Sequence, residues 1–219
     1  NLYEKLEKAI VMNSKIEYDV LVNYLEQEGV FSDKIAIVDI GWVGNMQQAL
    51  NIIVKDKNIN NHINGYYVGL WGKKGCGLKS TMKGFLFEPG YNQSLRDTEH
   101  CFNAIFEILF STSHGSVRRF KTVNNTVVPV FEEYEYINED GKFRPEKNII
   151  EEIQNGAFEG VKQLYQYRES FGEVTPYVAF CSMTQFGTKP RKQDLHIWEN
   201  FRTYDGVYRE MVQVKSVIY

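Results

Sequence analysis

The sequence predicts an α/β fold: a Rossmann-like, mainly parallel sheet flanked by helices, with irregular β/α additions toward the C-terminus. Three observations carry this. Ile35-Ala36-Ile37-Val38-Asp39-Ile40 is a short, β-branched apolar run, Met46, Ala49, Leu50 and Ile53 then recur at helical spacing, and Gly65–Trp71 returns to an aromatic strand pattern. Strand, helix and strand in that order form a crossover unit, which is right-handed and favours a parallel sheet. The unbroken apolar run of the first strand asks for cover on both faces and so places it in the sheet interior.

The elements follow in order. The first residues look helical, and Ile16, Val20, Leu21, Tyr24 and Leu25 mark an amphipathic helix over about 14–28, stopped by Gly29. Gly41-Trp42-Val43-Gly44-Asn45 is the tight turn between strand 35–40 and its helix. Gly84-Phe85-Leu86-Phe87 suggests another strand, and Cys101, Phe102, Ile105, Phe106 and Leu109 a heavily apolar helix. Val127–Phe131 contains Pro129, which cannot donate to a central ladder, and so is an edge strand. Residues 132–141 are a polar loop, and Pro145 suits the first turn of a long helix reaching Arg168. A Lys/Arg-rich loop at 189–192 and a strand-like segment from Val207 to Val214 close the chain.

Composition bounds the function. The 219 residues are 43% hydrophobic and 24% charged with a net charge of −3, which excludes bulk disorder and a generally nucleic-acid-binding surface. No repeat or low-complexity linker divides the chain, so a single domain over 1–219 is expected, weakest near 132–146. Cys76, Cys101 and Cys181 are odd in number and widely spaced, signalling neither a disulfide framework nor a zinc knuckle. No apolar run is long enough for a membrane span and no signal peptide is spelled out, so a cytoplasmic protein is expected. The chain opens Asn-Leu-Tyr-Glu-Lys, which suggests a C-terminal piece of a longer protein.

Two segments concentrate chemistry. At the 39–47 turn, Gly41 and Gly44 permit close backbone approach to a diphosphate, Asn45 suits a helix N-cap, Gln47 lies in the first helical turn, Asp39 can hold a sugar hydroxyl or metal, and Trp42 can stack on a ring. The structural alternative is that the glycines serve geometry, Asp39 caps neighbouring N–H groups and Trp42 is core. In the 107–119 segment, Glu107 and His114 are candidates for proton exchange, with Ser111, Ser116 and Arg118 as substrate contacts and Arg118 as a phosphate clamp. Glu107 inside an apolar run must face a partner or a cleft, since burying it unpaired is costly. An isolated surface histidine is the simpler account of His114.

Two motifs fail. Gly72–Ser80 imitates a phosphate-binding P-loop, but Leu78 separates the last glycine from Lys79, leaving Lys73, Lys74 and Lys79 as a basic loop. Asp39 is followed at the second position by Gly41, so the Asp-x-Asp pair of a haloacid-dehalogenase phosphatase is absent.

Val38–Gln47, Gly65–Leu70, Glu107–Ser111 with Gly115-Ser116, and Ile153-Gln154-Asn155-Gly156 together resemble the C-terminal half of large bacterial haloacid-dehalogenase-like hydrolases associated with surface-polysaccharide and glycosyltransferase loci. The resemblance spans most of residues 30–165. It implies a polysaccharide-biosynthesis setting, a covalently linked N-terminal domain carrying the phosphatase motif, and a sugar-phosphate or nucleotide-sugar ligand, with a divalent cation accompanying a nucleotide sugar. A glycosyltransferase-like activity is one reading; a noncatalytic docking or glycan-binding domain is the other.

Overall fold

A computed structural model describes residues 2–32, 34–59, 63–73, 81–170, 172–199, 201–205 and 210–213. The fold is mixed α/β. A three-stranded parallel sheet has the order β1 (Ala36–Asp39), β2 (Asn64–Gly69), β3 (Met82–Phe87), and α2 (Asn45–Asp56) makes the crossover from β1 to β2. The crossover expected from the sequence is therefore present. The first strand, however, is not interior. β1 ends the strand order, and Val38 is 84% exposed. Its apolar run has the composition of a doubly covered strand, but among the described residues only β2 pairs with it.

The chain divides into two compact units, residues 1–37, 45–64 and 113–134 forming the first and residues 38–44, 65–112 and 135–219 the second. In the first, α1 (Leu2–Gln27) extends well beyond the amphipathic stretch at 14–28. Its C-terminal half buries Val22 and Leu25 with Ile53 of α2, joined by Tyr18, Leu21, Tyr24, Phe31 and Leu50. Strands β4 (Val117–Val123) and β5 (Thr126–Phe131) form an antiparallel hairpin. Its turn is Asn124-Asn125, both at positive φ, a conformation asparagine tolerates best after glycine. Tyr24 stacks on Phe120 with centroids 4.3 Å apart, and the Gln27 amide both donates to the Val127 carbonyl and accepts from its N–H. Pro129 sits opposite Phe120 in this two-stranded ladder.

In the second unit the helix expected near 101–109 is α4 (Asn103–Leu109), and a further helix, α3 (Gln93–His100), precedes it across Cys101-Phe102. They pack Leu95, Phe102 and Phe106 with Leu86 and Phe87 of β3 and with Phe180, against which Ile40, Trp42, Val68 and Trp71 close. Next come α5 (Pro145–Gln166), with Pro145 in its first turn, α6 (Pro176–Thr188), which holds Phe180, and α7 (Lys192–Trp198). Thr175 caps α6 by accepting the Val178 N–H. The strand-like ending falls to a hairpin of β6 (Arg202–Asp205) and β7 (Glu210–Gln213); the rest of 207–214 lies outside the described residues.

Candidate functional site

The geometry begins with the turn after β1. Gly41 has φ +151°, and a Cβ there would lie 2.5 Å from the Gly69 carbonyl oxygen; Gly44 has φ +80° and a Cβ would run into the Met82 side chain. Gly41 is thus required by the close approach of the Gly69 backbone, whereas Gly44 is favoured by its positive φ, since the Met82 methyl it would meet can swing aside. Backbone hydrogen bonds from Gly69 N–H to the Ile40 carbonyl (3.1 Å) and Trp71 N–H to the Trp42 carbonyl (2.9 Å) hold the turn beside the end of β2. That registration brings two indoles together. Trp42 and Trp71 stack with centroids 4.7 Å apart and planes 9° from parallel, with Phe87 and Phe106 also against Trp42.

Each indole N–H is taken by a carboxylate. Trp42 donates to Glu107 Oε1 at 2.7 Å, and Trp71 donates to Glu99 Oε2 at 3.2 Å. The Asn103 amide also donates to Glu107 Oε1, at 3.3 Å. Glu107 is exposed, whereas Glu99 is fully buried and its Oε1 has no hydrogen-bond partner among the described residues. Burial pushes the Glu99 carboxyl up to about 7, the nearby Glu107 charge adds to this, and the Trp71 N–H opposes it. Asp39 accepts the Gly41 N–H at 3.4 Å, and its charge adds to the burial that pushes the Tyr67 hydroxyl up to about 12.

Beside this pair lies a cavity of about 330 Å³ lined by Trp71, Arg96, Asp97 and His100. The His100 ring stands edge-on to Trp71 at 5.0 Å, and Arg96 directs two N–H groups onto Asp97 Oδ1 at 2.8 and 3.1 Å. The aromatic ring, carboxylate, guanidinium and imidazole form a set able to meet a hydroxylated ring and an anion.

The residues expected to act together divide between the units. Asp39, Gly41, Trp42, Gly44, Glu107 and Ser111 belong to the second; Asn45, Gln47, His114, Ser116 and Arg118 to the first. Gln47 is a correction. It is fully buried, donating its amide to the Ile63 carbonyl at 2.7 Å while its own carbonyl accepts from Asn51, so it serves the scaffold. Asn45 is the first residue of α2 rather than the residue before it. Ser111 closes α4, its hydroxyl donating to the Ile108 carbonyl and its carbonyl accepting from Gln154. His114 lies against Phe131 at 4.0 Å, with Nδ1 2.9 Å from the Gly115 carbonyl. Ser116 accepts the Glu132 N–H through its carbonyl, and Arg118, exposed on β4, lies 3.9 Å from Glu132. Lys73 pairs with Glu88 at 2.8 Å, while Lys74 and Lys79 lie outside the described residues.

Sequence reasoning missed Glu99, Trp71 and the cavity residues. A signal existed: Leu95, Glu99, Phe102 and Phe106 are spaced four, three and four apart, which sets a glutamate in an apolar helical stripe. Among the described residues no group of three or more His, Cys, Asp and Glu side chains is arranged to hold a metal ion, and no helix is long and apolar enough to cross a membrane. No model of a known protein family matches the sequence, and no curated protein matches it.

Proposed function

We propose that this chain is a sugar-phosphate-binding module of bacterial polysaccharide biosynthesis, built on a Rossmann-like sheet and taking the sugar-phosphate end of a nucleotide sugar or a free sugar phosphate. The observation that carries the reading is the Trp71 ring, pinned through its indole N–H by buried Glu99 and lining a cavity with Arg96, Asp97 and His100. An aromatic face takes the C–H face of a sugar, a carboxylate accepts its hydroxyls, and N–H groups of Arg and His donate to phosphate oxygens. The Trp42–Glu107 pair backs this platform, keeping Trp71 stacked and immobile.

The docking reading is favoured by a different observation, the exposed stripe Phe158, Val161, Leu164 and Tyr165 on α5. One experiment decides between them. Tryptophan fluorescence is titrated with glucose 1-phosphate, a uridine diphosphate sugar, glucose and inorganic phosphate. The binding reading expects saturable quenching by the phosphorylated sugars, weaker by roughly tenfold or more for either half alone, and lost in Trp71→Ala and Arg96→Ala. No response to any phosphorylated sugar removes it and leaves docking.

A further inference from the structure

The N-terminal two-thirds of α1 carries an exposed apolar stripe. Leu2, Leu6, Ile10 and Ile16 are 72, 45, 46 and 53% exposed, and of the 26 residues of the helix only Val22 and Leu25 are buried, packed with Ile53 of α2. Helical stability comes mostly from packing one face, so a length of helix with its apolar side chains in water calls for a partner. The stripe has a period of its own. Leu2, Leu6, Ala9, Asn13, Ile16 and Val20 are separated alternately by four and three residues, the heptad spacing of a coiled-coil seam. At 3.6 residues per turn this seam runs along the side of α1 opposite Val22 and Leu25, so seam and core do not compete for one face. Asn13, polar within the seam, is the kind of residue that fixes pairing register at a cost in stability.

The same pattern selects the occupant, because it is complementary to itself. Laid antiparallel on a second copy, the seam pairs Leu2 with Val20, Leu6 with Ile16, and Ala9 with Asn13, the small alanine leaving room for the amide. Flanking positions then set Lys5 against Asp19 of the second copy and, by the two-fold symmetry, Asp19 against its Lys5, with Ile10 meeting Ile10 between them. Opposite charges thus meet twice. A parallel pair would instead stack two alanines and two asparagines in adjacent layers, and would leave Lys5 against Ile10 and Asp19 against Tyr24 with no charge matched. We infer that α1 is a homodimerisation helix, two copies of this chain pairing antiparallel along Leu2–Val20.

Sedimentation velocity of the full chain over a concentration series tests this, and a monomer–dimer equilibrium with Kd in the micromolar range is expected. Ile16→Lys, at an exposed position, is expected to weaken dimerisation by roughly tenfold or more, with the near-ultraviolet circular dichroism of the folded aromatic core unchanged. Lys5→Glu and Asp19→Lys are each expected to weaken it by roughly threefold to tenfold, and the two together to restore it to within about twofold. Carbodiimide treatment of the parent is expected to join Lys5 to Asp19. The two lie 14 residues apart on one helix, about 21 Å, so that link reports a second copy lying antiparallel. A parent that stays monomeric, an unaltered Kd in Ile16→Lys, a double charge reversal no tighter than either single one, or a dimer without the Lys5–Asp19 link would overturn the assignment. None of these outcomes touches the sugar-phosphate reading at Trp71.

Discussion

Glu99 and Glu146 are both glutamates withdrawn from water within the same unit, and each has one carboxyl oxygen without a hydrogen-bond partner among the described residues. Their surroundings nevertheless set them to opposite purposes. Glu146 has the Arg144 guanidinium at 3.1 Å and is half of an ion pair. Glu99 is raised by burial, with the like charge of Glu107 adding to this and only a neutral indole N–H opposing it, so it holds its proton up to about 7. Burial raises Glu99 beside a neutral donor, whereas Glu146 lies beside a guanidinium, the partner that offsets the lost hydration of a buried carboxylate.

The largest effect tests the ion pair. Arg144→Met removes the guanidinium and strands the Glu146 charge, and is expected to lower unfolding free energy by about 3–5 kcal/mol in urea titrations. Arg144→Met combined with Glu146→Leu should recover most of the loss. A single variant as stable as the parent would show that Glu146 does not depend on its partner and would collapse the comparison.

Glu99→Gln probes the other side. Because the carboxyl is raised in the folded protein, its stabilising contribution is complete below the ordinary carboxyl range and is lost as pH rises through about 7. Glutamine cannot ionise, so the variant is expected to gain about 3 kcal/mol over the parent at pH 8 and to be nearly equal to it at pH 4. Thermal unfolding across that range measures the difference. A pH-independent offset would mean that Glu99 does not titrate as its surroundings require.

Glu107→Gln should produce the smallest change in stability, under about 0.5 kcal/mol, because the site is exposed and an amide oxygen can still accept from Trp42. Its sharper consequence is on its neighbour. Removing the Glu107 charge is expected to move the Glu99 titration downward, as read from side-chain carboxyl chemical shifts. A Glu99 titration that stays in place would assign its shift to burial alone.

How far all this was legible depended on distance along the chain. The strand, glycine turn and helix at 36–56 follow from local periodicity, as do β3 and the Pro145 start of α5. Trp42 was legible as a candidate, and so was the need for Glu107 to have a partner or a cleft. That each answers the other across 65 residues of sequence was not. Glu99 was hidden because its immediate neighbours, Asp97, Thr98 and His100, are polar and only the four-residue helical repeat exposes its inward position.

The local periods, the α/β class and the places that require glycine or proline can be read from the chain alone, because they depend on backbone sterics and on which residues fall on one face. The tertiary structure alone decided that β1 ends the sheet, that Gln47 is spent on the Ile63 carbonyl, and which buried carboxyl meets a guanidinium and which an indole. Edge or interior position is a property of neighbouring strands, and protonation is a property of burial and of the groups packed alongside. Neither is carried by the residue that experiences it.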